Sequence, residues 1–162
     1  MIGDASPAAE FRLVSGNSSD LEDVMTVMTE AFHPQYGEAW TRSQCAGILP
    51  MTGVSLTLAR DADAGNPLGF SLFRTIAGEA ELLLLAVAPA FQRQGIAGRL
   101  LDDFMRRAEA EGAKRVHLEV RDGNPAVGMY EVAGFEAAGR RRNYYRGSDG
   151  NRFDALTLAR VL

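Results

Sequence analysis

Between Leu82 and Leu100 the chain passes from an apolar run, Leu82 to Val87, through Pro89 to two glycines, Gly95 and Gly98, at the head of a long helical pattern. This passage constrains the fold most. Its first half reads as a buried strand; beyond Pro89 the period changes, and Ile96, Leu100, Leu101, Phe104, Met105 and Ala108 recur as one helix face until Gly112 stops it. Arg115 to Val120 reads as a following strand, so a strand-helix-strand unit stands at the centre of the chain.

Around this unit the patterning is of another kind. Val54 to Ala59, Leu68 to Thr75 and Ala80 to Val87 are strand-like runs separated by the turn signals Ala64-Gly65-Asn66-Pro67 and Ala77-Gly78, and they predict an antiparallel meander. Ser19 to Glu22 reads as a capping box for a helix reaching Phe32, and Thr41 as the cap of a short helix over Arg42 to Ile48. A short helix from Pro125 to Ala133, closed by Gly134, precedes two terminal strands near Phe135 to Tyr145 and Phe153 to Arg160. With an opening strand, the order is strand, two helices, three strands, helix, strand, helix, two strands. That predicts a mixed, mostly antiparallel α/β sheet with helices on both faces.

A length of 162 residues with 46% hydrophobic content suits one domain, expected over 11–162 behind a flexible tail at 1–10. No apolar run approaches the roughly 18 to 20 residues that span a bilayer, and Met1 to Glu10 lack the layout of a secretory signal; both point to the cytoplasm and away from membranes. Cys45, the single cysteine, has no disulfide partner, and no His cluster surrounds it to suggest a metal. The net charge of −4 disfavours direct nucleic-acid contact and mildly favours cationic partners.

The glycines carry the first chemistry. Gly95 and Gly98 lack a Cβ, so a ligand can approach the backbone where free N–H groups and the positive end of the helix dipole favour a pyrophosphate; Arg93 and Arg99 can add charge-assisted bonds. Alone, a Gly-x-x-Gly at a helix start equally marks a tight strand-to-helix connection. Gln92-Arg93-Gln94-Gly95-Ile96-Ala97, however, resembles the Gln/Arg-x-x-Gly-x-Gly/Ala signature of the GCN5-related N-acetyltransferase (GNAT) superfamily. The resemblance implies acetyl-CoA as cosubstrate and backbone amides of Arg93, Gln94, Gly95, Ile96, Ala97 and Gly98 on its pyrophosphate. It also implies that the main chain of Leu85, Ala86 and Val87 pairs with the pantetheine arm. An apolar strand whose neighbour has splayed away suits an arm that carries amides.

His117-Leu118-Glu119-Val120 puts Glu119 on the strand face opposite Leu118 and Val120. Its carboxylate either pairs with an arginine, Arg121 or Arg74, or takes a proton from an attacking ammonium at the splay, a task that burial assists. Asn124 and Pro125 are explained fully as helix N-cap and first helical residue, and Tyr130 as a core aromatic. From Glu81 onward the chain is similar to one subgroup of the superfamily, the RimI type of bacterial ribosomal-protein alanine N-acetyltransferases. The motifs are Leu118-Glu119-Val120-Arg121, Tyr130-Glu131-Val132-Ala133-Gly134-Phe135 and Arg142-Asn143-Tyr144-Tyr145. The resemblance implies Glu119 as proton acceptor, Tyr130 as proton donor and Asn124 as an acetyl-CoA contact. Between Asn124 and Tyr130 this chain is one residue shorter than the subgroup, and one helical residue is worth about 100° of rotation.

A protein N-terminus, with a pKa of about 7.7 to 8.0, deprotonates far more easily than a lysine at about 10.4, which favours an N-terminal amine as acceptor, a ribosomal protein among the candidates. Tyr144 and Tyr145, with Tyr36 and Trp40, could wall a peptide groove or serve as ordinary strand and loop aromatics. Asp20, Glu22, Asp23, Glu30 and Glu38 would suit a small cationic amine instead, although most sit where a solvated helix face is expected. A non-catalytic acyl-CoA sensor would need neither Glu119 nor Tyr130.

Overall fold

The computed structural model describes residues 10–162; the tail expected over 1–10 lies, apart from Glu10, outside the described residues. Seven strands and four helices follow in the order β1 (Phe11–Gly16), α1 (Leu21–Ala31), α2 (Arg42–Ile48), β2 (Val54–Asp61), β3 (Pro67–Ile76), β4 (Glu79–Val87), α3 (Ile96–Ala110), β5 (Arg115–Arg121), α4 (Val127–Val132), β6 (Glu136–Arg146) and β7 (Arg152–Val161). They form one sheet, ordered β1-β2-β3-β4-β5-β7-β6. Every pairing is antiparallel except β4 with β5, which α3 connects as the crossover that parallel neighbours require. This is the mixed sheet that the patterning predicts.

Two boundaries differ from the expectation, each for a local reason. The capping box ahead of α1 is set two residues earlier than Ser19: Asn17 Oδ1 accepts from the Ser19 amide at 2.8 Å, and Asp20 Oδ2 accepts from the Asn17 amide at 2.9 Å. A short 3-10 turn over Ser18–Asp20 therefore precedes α1. At α4, Asn124 Oδ1 accepts from the Ala126 amide at 2.8 Å and holds the chain in a turn, so the helix begins at Val127 rather than Pro125.

Helices cover both faces. α1 packs Val24, Val27 and Met28 on Leu56, Phe70, Leu72 and Leu84; α3 packs Leu101, Phe104 and Ala108 on Phe73, Leu82, Val116 and Leu118. Leu82 and Leu84 belong to opposite faces although a regular strand would put them on one, because β4 carries a bulge: Leu72 pairs with Leu84 and Phe73 with Leu82, leaving Leu83 extra. The bulge falls where β4 parts from β5. Their parallel pairing runs only from Glu79↔Arg115 to Leu82↔Leu118, and beyond it the two strands splay.

A buried polar set locks α3 to the sheet. Thr57 Oγ1 donates to Asp103 at 2.9 Å and accepts from Arg107 at 2.6 Å, with Thr57 and Asp103 both buried. Thr57→Val strips a partner from each charge and is expected to destabilise by about 1 to 3 kcal/mol. In thermal unfolding that is about 2 to 4 °C for each kcal/mol, and an unchanged midpoint would mean that solvent already satisfies Asp103.

Candidate active site

The strand-to-helix passage from β4 into α3 is the coenzyme side that the sequence predicts. Gln92 Nε2 donates to the Val87 carbonyl at 3.1 Å, tying the loop back to the end of β4. Arg93 takes a left-handed backbone at φ 64°, and Gly95, the N-cap of α3, another at φ 85°. The helix ladder starts with the Arg99 amide on the Gly95 carbonyl at 3.1 Å, so the amides of Gly95, Ile96, Ala97 and Gly98 have no partner within the helix. The Ile96 side chain plugs the core beneath, and the Arg99 guanidinium lies 5.0 Å from the Phe11 ring.

This helix start leaves room for a ligand. A Cβ added at Gly95 or Gly98 would meet no protein atom within 4 Å. Glycine at Gly98, where φ is ordinary, costs about 0.5 to 1 kcal/mol against alanine, and packing gives no reason for it. The room beside amides that have no partner within the helix fits the pyrophosphate of acetyl-CoA. On β4 the edge facing β5 is without a strand partner from Leu83 to Val87, which leaves the main chain of Leu85, Ala86 and Val87 beside the opening.

At the splay, one pocket is lined by Glu81 to Leu85 of β4, Leu118 to Arg121 of β5, and by Glu38, Trp40, Asn124, Tyr130, Tyr144 and Tyr145. Glu119 pairs across β7 with Thr157, leaving its β4 side open. Its side chain is 16% exposed and meets the Arg141 Nε of β6 at 2.8 Å. The ion pair is therefore with Arg141, neither Arg121 nor Arg74, and the carboxylate rests against a guanidinium rather than in an apolar slot. The Tyr144 hydroxyl also donates to Glu119; burial first and the Glu119 charge second push that phenol up.

Tyr130 is buried in the wall, edge-on to Phe135 at 5.9 Å between ring centres. Desolvation, reinforced by Tyr145 and Glu38, pushes its phenol well above the ordinary range. The Phe135 amide donates to the Tyr130 carbonyl at 3.0 Å, anchoring the tyrosine from its C-terminal side. Asn124 donates through Nδ2 to Glu38 Oε2 at 3.2 Å while its Oδ1 caps Ala126.

Glu38 is the residue that sequence reasoning missed. Named there only as one of several acids that would suit a cationic amine, it lines the pocket largely withdrawn from solvent, paired with the Arg121 Nε and bonded to Asn124. Only tertiary proximity reveals it, because it lies in a loop with no periodicity. Tyr144 and Tyr145 do line the pocket, as does Trp40, whereas Tyr36 stacks outside it on Arg121 at 3.8 Å.

Comparison with known proteins agrees with this fold. The model of the acetyltransferase (GNAT) family matches residues 21–135. A [ribosomal protein bS18]-alanine N-acetyltransferase of Haemophilus ducreyi is 40% identical over 116 residues, 71% of this chain and 80% of that protein. The crystal structure of the ribosomal-protein-S18-alanine N-acetyltransferase from Escherichia coli superposes with a TM-score of 0.80 at 29% identity, covering 93% of this chain and 92% of that one. Arabidopsis thaliana NAA60 in complex with acetyl-CoA shares the fold, with a TM-score of 0.82 at 17% identity over 94% of this chain and 99% of that one. No helix among the described residues is long and apolar enough to cross a membrane. The family match spans most of the chain and takes in the cradle and the splay alike, and the protein belongs to the GNAT family, N-acetyltransferases that draw their acetyl group from acetyl-CoA.

Proposed function

We propose that this enzyme acetylates the N-terminal α-amine of a protein in the cytoplasm, with a ribosomal protein bearing N-terminal alanine as the acceptor. The observation that carries the reading is the placement of a carboxylate, Glu119, and a buried phenol, Tyr130, on one pocket where β4 and β5 part. The relatives named for ribosomal-protein alanine acetylation support the acceptor.

Amides of Arg93 to Gly98 hold the pyrophosphate, and the free edge of β4 at Leu85 to Val87 holds the pantetheine arm. Asn124 adds a side-chain contact through the amide hydrogen that Glu38 leaves. Glu119 accepts the proton of the acceptor ammonium, directly or through a water, and frees the lone pair that attacks the thioester carbonyl. The C–N bond forms and the C–S bond breaks; the sulfur takes the proton of Tyr130, and the second proton shed by the acceptor nitrogen restores the phenol, so coenzyme A leaves as the thiol. Tyr130 donates a hydrogen bond to that sulfur as its charge grows. Full transfer from a phenol above 10 to a thiolate near 8.5 is uphill by about 1.4 kcal/mol per unit, so the phenol's proton follows the charge rather than leading it.

A cationic acceptor of another kind, a small polyamine, also suits a pocket with the carboxylates of Glu38, Glu81 and Glu119. Thiol release from acetyl-CoA separates the readings, with a peptide of free N-terminal alanine, the same peptide blocked, and a polyamine. Turnover of the free peptide alone upholds the proposal, and turnover of the polyamine alone replaces it. If nothing turns over while acetyl-CoA binds, the chain is an acyl-CoA sensor.

The pH profile gives an independent check. Because burial raises the Tyr130 phenol, the donor stays protonated throughout the neutral and mildly alkaline range. For the free peptide kcat/KM is expected to rise through about pH 7.7 to 8.0, where the acceptor amine deprotonates, and then to stay level to about pH 10. An alkaline fall centred below 10 would remove Tyr130 as donor.

A further inference from the structure

We infer that Glu38 is a positioning residue that fixes the acceptor side of the pocket by clamping the loop between α1 and α2 onto the strand bearing Glu119. The inference rests on the acetyl-transfer reading. Both Glu38 oxygens are engaged, Oε1 by the Arg121 Nε and Oε2 by Asn124 Nδ2 at 3.2 Å. The pair is buried, with side chains 11% and 10% exposed. Arg121 closes β5, two positions beyond Glu119, and its guanidinium lies on the Tyr36 ring at 3.8 Å and 5.7 Å from that of Phe153. Tyr36 in turn meets Phe153 edge-on at 5.5 Å. One arginine thus joins the loop's acid and aromatic to β5 and to the start of β7.

The loop is held at its other end as well. The Ser148 amide donates to the Pro34 carbonyl at 3.0 Å, and a Cβ at Gly37, with φ 67°, would lie 2.1 Å from the Arg146 carbonyl oxygen. The loop therefore bridges β5 and the β6–β7 turn, and the pocket that it helps to line takes in no residue of α3. Glu38 also faces the chemistry, since its charge helps to raise the phenols of Tyr130 and Tyr145. A cluster serving only to stabilise the fold would have no reason to line the pocket.

The test compares Glu38→Gln, which removes the charge, with Arg121→Lys, which keeps the cation but loses the planar fork and the stacking. Both are expected to raise KM for the free-alanine peptide about tenfold or more, with a clearly smaller rise in KM for acetyl-CoA through Asn124, the pattern of lost acceptor binding. Amide hydrogen exchange of residues 33–40 is expected to quicken in both, a readout that needs no turnover. Unchanged acceptor KM, or equal rises in both KM values, overturns the inference; so does unchanged exchange in the loop. If the wild-type enzyme acetylates no peptide at all, the proposed function fails separately, and loop exchange still decides whether Glu38 clamps the loop. Should Glu38→Gln fail to fold, Arg121→Lys carries the same readings.

Discussion

Glu119→Gln is expected to lower kcat/KM for a free N-terminal peptide by about 10²- to 10⁴-fold, the usual contribution of a positioned base. The amide keeps the shape of the side chain and can still accept from Tyr144 and Arg141, so the wall of the pocket stays in place. It cannot take a proton. KM for acetyl-CoA should hold, because the cradle belongs to α3 and the end of β4. Raising the pH should recover part of the loss, since the free amine then arrives without a proton to shed. A variant as fast as wild type near neutral pH would show that the proton leaves by another route, with Glu38 and Glu81 the other carboxylates of the pocket.

Gly98→Asp acts on the other substrate. Nothing in the protein lies within 4 Å of an added Cβ there, so the fold should keep its thermal midpoint or gain slightly from the loss of a helical glycine. The carboxylate would occupy the space read here as the pyrophosphate's and repel its charge, a juxtaposition worth several kcal/mol. KM for acetyl-CoA is expected to rise about 100-fold, near 2.7 kcal/mol, with much less effect on acceptor KM once coenzyme saturates. Equal coenzyme KM in the two proteins would move the pyrophosphate elsewhere.

Features set by neighbouring residues were legible in advance. The apolar face of α3, its stop at Gly112, the turns of the meander and the alternation that exposes Glu119 on β5 all follow from spacing over a few residues. So did the glycines whose Cβ space stands open. Features made by distant residues were not. Glu38 meets Arg121 across 83 positions and Asn124 across 86, and no local pattern marks either meeting. Arg141 lies among three consecutive arginines, and only the folded sheet selects it to face Glu119 while Arg140 turns to Asp122 and Asp154 at 2.8 Å each. The bulge at Leu83 escaped for a subtler reason: within a run of four leucines, sequence alone does not say which is the extra residue.

The short β4–β5 pairing has a consequence beyond catalysis. Four residue pairs are all that join the half-sheet β1 to β4 with the half-sheet of β5, β7 and β6 through strand hydrogen bonds. A coenzyme arm laid along β4, as proposed above, would fill the missing rung and join the two halves. Ligand that binds only the folded state at 100 times its Kd adds about 2.7 kcal/mol of stability. The unfolding midpoint is therefore expected to rise with added acetyl-CoA, and with coenzyme A itself, which carries the same arm; thermal unfolding with and without each measures it.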